Sequence, residues 1–249
     1  LWSLPDTWAH MREEWGVQPG EPNRLPIAGD HVTIPEGLAV LLDLVATPII
    51  AQLDVFGRLE FSDDINVTLR AGSITVQGSA LSDASSGVFA GSQSAPRLNA
   101  LSIELHAAAS APVVRVGDDL FLPGPVLAVF GNLSLNGQAA SDSWARLAET
   151  AEAGATLLSV NGTLDWEAGS SVVLTATQGG AAQTEVCNVT AVAPSADGLT
   201  LLTLQQPLVF RHVVLEEDAM SWSAAPVRIA PAVGLVSRSI RVRAVPSGG

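Results

Sequence analysis

The chain has 249 residues, 47% hydrophobic and only 15% charged, which is enough apolar content for a substantial core and too little charge for a disordered segment. Asp and Glu number 25 against 12 Lys and Arg, and the resulting net charge of −13 argues against a nucleic-acid backbone or an anionic lipid surface as partner. Aromatic residues make up 5%, with no Tyr, so the core is expected from Val, Leu, Ile and Ala.

Trp2, Trp8 and Trp15 open the chain. Thr7 is expected to cap a short helix that carries Trp8, Met11, Arg12 and Trp15 on one face. These tryptophans are read as a hydrophobic plug over one end of a domain rather than as a sugar-stacking platform. Residues 19–29 form a Pro- and Gly-rich loop. Short strands with period-two alternation follow. His31-Val32-Thr33-Ile34 is the first and Ala39-Val40-Leu41-Leu42 the second.

A strand–glycine–strand unit then recurs. Leu53-Asp54-Val55-Phe56-Gly57-Arg58-Leu59-Glu60-Phe61 is echoed by Ile74-Thr75-Val76-Gln77-Gly78, 21 positions later from glycine to glycine. Leu101 to Leu105 is a further short strand, and Leu127-Ala128-Val129-Phe130-Gly131-Asn132-Leu133-Ser134-Leu135 closely mimics the first unit. Intervals of about 20–30 residues favour stacked coils of a right-handed parallel β-helix over a hairpin sandwich. A glycine at each corner would relieve crowding. Residues 141–210 carry shorter strands and tighter turns and are read as a small antiparallel barrel-like insertion. The expected organisation is therefore all-β: a tryptophan-containing cap over 1–28, a β-helix over 29–140, the insertion over 141–210, and a return to the helix over 211–249.

No window is long and apolar enough to span a membrane as a helix; the most apolar, 38–50, is broken by Asp43 and Pro48. Residue 1 is Leu with no leader before it, so the chain is read as a piece of a longer precursor. Four N-glycosylation acceptors favour a secretory route: Asn66-Val67-Thr68, Asn132-Leu133-Ser134, Asn161-Gly162-Thr163 and Asn188-Val189-Thr190.

Taken in order, several segments resemble the eight-glycine (G-eight) domain family. Trp2-Ser3, Pro5 and Thr7-Trp8 are similar to its opening. Gly29-Asp30-His31-Val32-Thr33-Ile34-Pro35-Glu36-Gly37, then Val40-Leu41-Leu42-Asp43, is similar to its central signature. The later segments resemble the region behind this domain in fibrocystin-like (polyductin-like) proteins: Trp144 and Leu147, Gly154 with Thr156-Leu157, Trp166 with Gly169, Glu185, Pro207-Leu208, Arg211-His212, and Val233 to Ile240. Ala232 departs from the pattern, which has an acidic residue there. The resemblance implies an extracellular, β-rich piece of a large cell-surface or ciliary-membrane glycoprotein. Partners would be other extracellular domains or proteins, glycans, or copies of the chain itself, and the parent would be membrane-anchored. The same domain occurs in cell-surface proteins linked to hyaluronan breakdown.

The residues themselves supply no catalytic set. His10, His31, His106 and His212 lack metal-ligand spacing, and no calcium-loop pattern is present. Asp63-Asp64 and Asp118-Asp119 are adjacent carboxylates that point apart on a strand or turn, so neither pair forms a glycosidase dyad alone. Arg211-His212 with Glu216-Glu217-Asp218 is the most polar cluster and is read as a solvated loop. Cys187, the single cysteine, is read as a structural thiol. No metal, cofactor or catalytic residue is expected. The function expected is a structural or recognition module, with part of an extracellular polysaccharide depolymerase as the alternative.

Overall fold

A computed structural model describes residues 1–77, 85–106, 114–116, 120–177, 180–217 and 227–246. The chain is all-β and divides into two compact units, residues 1–138 with 239–249, and residues 139–238. Among the described residues no helix is long and apolar enough to cross a membrane.

In the first unit the chain visits two sheets in alternation. β1 (His31–Ile34), β3 (Ile50–Val55), β5 (Val67–Val76) and β7 (Leu101–His106) lie side by side in one, and β2 (Ala39–Leu42), β4 (Arg58–Phe61) and β6 (Gly87–Ala90) in the other. After them come a short antiparallel pair, β8 (Val114–Val116) with β9 (Leu120–Leu122), and then β10 (Leu127–Val129) beside β5 and β11 (Leu133–Leu135) beside β6. Every pairing within these two larger sheets is parallel.

Parallel register places like above like. Val32, Leu53, Ile74 and Leu127 form one row, Ile34, Val55, Val76 and Val129 a second, and Val40, Leu59, Val88 and Leu133 a third. The first three members of each row are buried in a single core cluster. Burying each such side chain contributes about 1.5–3 kcal/mol. Alternate residues point away from that core, which is why the sequence alternates.

Corners between the sheets are tight. At Gly57 a Cβ would stand 2.3 Å from both Leu38 O and Pro35 O. Gly57 N–H donates to Ile34 O at 3.0 Å, and Gly57 O accepts from Gly87 N at 2.7 Å. The corner is thus bonded to the rungs on either side, with no room for a side chain.

The N-terminal segment folds as a 3-10 turn, Pro5–Met11, kinked at Trp8. Thr7 does not cap it. The turn starts at Pro5, whose missing N–H suits a first position, and Thr7 Oγ1 donates instead to Leu1 O at 2.7 Å. Trp2 and Trp8 are buried and meet edge to face at 4.7 Å, and Trp8 Nε1 donates to Trp2 O at 2.9 Å. Neither ring has a face left for a sugar. Trp15 packs against the same core and donates from Nε1 to His31 O at 2.9 Å.

Arg97 is the unexpected core residue, with 0% exposure. Its guanidinium donates to Phe61 O at 3.2 Å, Ser62 O at 2.6 Å and Ile65 O at 2.8 Å, so it satisfies the turn that follows β4.

The second unit is built on antiparallel pairing. β12 (Trp144–Arg146), β13 (Leu157–Asn161), β14 (Ser171–Leu174), β15 (Glu185–Pro194) and β16 (Leu199–Leu204) are followed by a small pair, β17 (Leu215–Glu217) with β18 (Val227–Ile229), and by β19 (Ala232–Leu235). The main sheet runs β12-β19-β14-β15-β16-β13. Its two edge strands are joined by a Leu147–Val160 bridge and by Ala148 N–H donating to Ser159 O at 2.8 Å. Leu147, Leu158, Val160, Trp166, Val172, Leu174, Leu202 and Val233 fill its interior.

One boundary is corrected. The segment expected to rejoin the parallel stack from residue 211 instead supplies β19, which inserts between β12 and β14. Val233 and Leu235 alternate as they would in either sheet, so alternation does not name the partner. The return comes with β20 (Ile240–Val245), which pairs parallel with β7. The chain therefore combines parallel and antiparallel sheets.

Two substitutions test these features by urea unfolding. Gly57→Ala forces a Cβ into two backbone carbonyls and should destabilise by about 1–3 kcal/mol. Arg97→Leu strands buried carbonyls and should cost about 2–4 kcal/mol. Wild-type stability in Gly57→Ala would show that the corner can relax, and in Arg97→Leu that the turn after β4 does not depend on the guanidinium.

Candidate functional site

The face of the β1-β3-β5-β7 sheet that points away from the core carries the polar chemistry. Asp54 on β3 is its centre and is only 7% exposed. His31 Nε2 lies 2.6 Å from Asp54 Oδ2, and Gln52 Nε2 donates to both carboxylate oxygens at 3.0 and 2.9 Å. Thr75 Oγ1 donates to Asp54 Oδ1 from the next strand. On its other side His31 Nδ1 lies 3.1 Å from Glu14 Oε1. Parallel register assembles this group, since it pairs His31 with Gln52, and Asp54 with Thr75.

The electrostatics follow. Burial pushes the Asp54 carboxyl up, but hydrogen bonds from His31, Thr75 and Gln52 outweigh it and hold the group below the ordinary carboxylate range. The hydrogen bond to Asp54 raises His31 above the usual histidine value, against burial and with help from the charges of Asp54 and Glu14.

A second group lies further along the same sheet. Register aligns Arg70, Glu104 and Arg243 on three neighbouring strands. Arg243 Nη2 donates to Glu104 Oε1, Arg70 Nε stands 3.5 Å from Glu104 Oε2, and His106 Nε2 stands 3.3 Å from the same oxygen. The Arg243 hydrogen bond is the largest influence lowering the Glu104 carboxyl, with burial opposing it. The Glu104 side chain is 10% exposed, while those of Arg70 and Arg243 are 41% and 62% exposed. Arg241, also exposed, sits two residues before Arg243 on β20.

Asp54 and Glu104 are the shielded carboxylates of this sheet, aligned with Thr75 and Arg70 of β5. Five residues of β5 separate those positions, and between them the inward set switches from Leu69 and Ala71 to Ile74 and Val76, so β5 does not alternate regularly there. Each carboxylate is tied to its own partners, Asp54 to His31, Gln52 and Thr75, and Glu104 to Arg70, His106 and Arg243.

The polar cluster read from sequence at 211–218 is divided. Arg211 pairs outward with Glu152 at 2.9 Å, and Glu216 with Arg228 at 2.8 Å. His212 turns inward with 0% exposure, Nδ1 3.0 Å from Thr175 O and Nε2 2.9 Å from Glu185 Oε1. Glu185 also accepts from Val209 N at 2.8 Å and Phe210 N at 2.9 Å. Burial raises the Glu185 carboxyl, and these bonds overcome it to leave the group below its ordinary value. Beside this pin lies a cleft of about 300 Å³ lined by Glu185, Asn188, Gln205, Gln206, Pro207 and Phe210, among others. Cys187 is half-buried against the core of this unit, and burial pushes its thiol up.

Asp63 Oδ1 accepts from the backbone of Leu98 and Asn99 at 3.2 and 3.3 Å, so it clamps a loop. Asp118, Asp119 and Asp218 lie outside the described residues. His10 Nε2 bonds Thr33 O at 2.9 Å. Among the described residues no three His, Cys, Asp or Glu side chains gather where a metal ion could sit. Of the four acceptor asparagines, Asn66 and Asn188 are exposed, and Asn132 and Asn161 are half-buried. Asn66 Oδ1 accepts from Ala100 N at 2.9 Å, and Asn132 Nδ2 donates to Ser86 O at 3.1 Å.

Together these features define an all-β protein whose parallel sheets present a polar outer ladder and whose antiparallel unit carries a small cleft. The G8 domain model matches residues 15–148, and the chain belongs to the G8 domain family. It is 32% identical to mouse fibrocystin-L over 238 residues, 92% of this chain and 5% of that protein. It is 27% identical to dog fibrocystin over 248 residues, 97% and 6% respectively. Protein rliB of Dictyostelium discoideum is 26% identical over 186 residues, 71% of the chain and 14% of that protein. The chain thus spans only a small fraction of the length of the relatives it matches.

The His31–Asp54 pair gives stability a defined pH dependence. His31, raised on folding, contributes fully below the ordinary histidine value of about 6.5 and loses that contribution as pH climbs through its raised value. Asp54, lowered, contributes above the ordinary value of about 3.9 and loses it as pH falls through its lowered one. Urea midpoints should therefore fall as pH climbs from below the ordinary histidine value of about 6.5 through the raised value of His31, and His31→Gln should flatten that fall. An unchanged slope in the variant would assign it elsewhere.

Proposed function

We propose that the chain is an extracellular structural and recognition module of a large fibrocystin-like membrane or ciliary-surface glycoprotein, and that its parallel sheets display a rigid surface for protein or glycan contact. The first unit is read as a right-handed parallel β-helix, interrupted by the second unit as a small barrel-like insertion. Alternation of the chain between two parallel sheets and the rows of like residues support the first reading. The bonded edges of the six-stranded sheet support the second. Similarity to fibrocystin and fibrocystin-L supports the parentage, and the four acceptor asparagines support the secretory route.

The observation that carries the recognition role is the Arg70, Arg241 and Arg243 group on the outer ladder. In a chain of net charge −13 it collects three of the 12 basic residues on neighbouring strands, two of which, Arg70 and Arg243, hold the Glu104 carboxylate. Guanidinium forks suit carboxylates and sulfates, the charged groups of acidic glycans and of acidic protein segments. Contact here needs no chemistry, only a ladder that does not bend.

Binding of the purified chain to immobilised hyaluronan and to a sulfated glycan tests this. Binding should weaken about tenfold or more in the double variant Arg70→Glu with Arg243→Glu, a change of about 1.4 kcal/mol. The length of hyaluronan incubated with the chain should not change. Binding that ignores the double variant would remove this face from the proposal, and shortened polymer would replace it with the depolymerase.

A further inference from the structure

Asn188 is exposed on β15 and lines the cleft beside Gln205, Gln206, Pro207 and Phe210. Its amide is oriented. Ser171 Oγ donates to Asn188 Oδ1 at 2.7 Å, and Asn188 Nδ2 donates to Gln205 Oε1 at 3.3 Å. The first bond fixes the oxygen, so the nitrogen is the end that faces the cleft residue. At 3.3 Å the second bond is long for N–H···O. A substituent on this nitrogen replaces one of its two hydrogens and leaves the other for Gln205. Asn188 and Thr190, first and third of their acceptor triplet, both stand exposed on one side of the strand, with Val189 buried between them. β15 shifts register between Val189 and Ala191, so Thr190 stands at an irregularity of the ladder.

The cleft matches one sugar ring. At about 300 Å³ it lies at the small end of ligand clefts. The side-chain amides of Gln205 and Gln206 can both donate and accept, as sugar hydroxyls and an N-acetyl group require. Phe210 and Pro207 add apolar surface for the C–H face of a pyranose. Glu185 is held by Val209 N, Phe210 N and His212, so it fixes the wall rather than serving a ligand.

We propose that Asn188 carries an N-linked glycan whose innermost N-acetylglucosamine is seated in this cleft, against Gln206 and Phe210. The proposal rests on the secretory route proposed above. Attachment uses a lipid-diphosphate-linked oligosaccharide as co-reactant. Asn188 Nδ2 forms a bond to C1 of the sugar, the C1–O bond to the diphosphate breaks, the diphosphate leaves with the electron pair, and the amide gives up one proton to solvent. A cleft that seats this sugar is filled by the protein's own glycan.

The test uses the whole chain secreted from glycosylating cells. Cleavage after Glu185 and Glu216 yields a peptide with Asn188 as its only acceptor, separate from Asn161. Mass analysis should find it glycosylated. Enzymatic release of the glycan from the native protein should be about tenfold slower at Asn188 than at Asn66 or Asn161, a difference of about 1.4 kcal/mol. Phe210→Ala should speed release at Asn188 alone. Gln206→Ala, at an exposed position, should act in the same direction without threatening the fold. A bare Asn188 beside an occupied Asn66 or Asn161 overturns the proposal, as do equal release rates that neither variant moves. If all four acceptors are bare, the secretory reading itself fails.

Discussion

Rows of apolar side chains locked in parallel register hold the first unit together, and the rest of that unit's chemistry is placed by the same lock. Val32, Leu53 and Ile74 can stack only if their strands neither slip nor tilt. A slip of one residue would turn each row toward solvent. Once the inward rows are fixed, the outward residues have no freedom either. His31 must lie beside Gln52, and Arg70 beside Glu104. The placement of the polar ladder is therefore a consequence of core packing. The corners bear the cost, because rungs this close leave no space for a Cβ at Gly57.

Much of this was legible in the residues. Alternation around Gly57 and its echo before residue 78 marked strands, corners and repeat together, and the glycine-relieved corner is what the backbone shows. The tryptophan plug was readable from Trp8 and Trp15 at helical spacing behind Trp2, although Pro5 starts the turn and Thr7 serves a different bond. Other features left no local trace. Arg97 looks like any loop arginine, and its burial depends on carbonyls more than 30 residues away. Val233 and Leu235 alternate as strands of either sheet type do, so nothing local assigns them to β14 rather than β7. Asp54 and His31 are ordinary outward residues until register brings them together.

The second unit solves a different problem. Antiparallel strands can be joined by short turns, and its six-stranded sheet bonds its own edges through Leu147 and Val160. Its buried polar pair, His212 with Glu185, is fully engaged, and that engagement defines its role. Thr175 O occupies one ring nitrogen, and the carboxylate that faces the other also takes two backbone N–H groups. Such a group is expensive to bury unless each bond is made. Its return is a segment, 205–212, pinned to β15 with enough rigidity to keep an open cleft beside it.

Charge distribution bears on what the outer ladder could contact. An acidic surface repels acidic polymers at long range, and at physiological salt that repulsion fades within about 8 Å. A local arginine group can then dominate contact while the net charge still prevents indiscriminate adhesion. Arg70 and Arg243 share one shielded carboxylate, which keeps their forks ordered and leaves each more than a third exposed. A carboxylate-pair glycosidase needs the reverse arrangement, with two carboxylates brought close and one of them kept protonated by its surroundings. Here Asp54 and Glu104 are both stabilised in the charged form by cationic and neutral donors. Each carboxylate orders its neighbours, and that order is what the proposed recognition surface rests on.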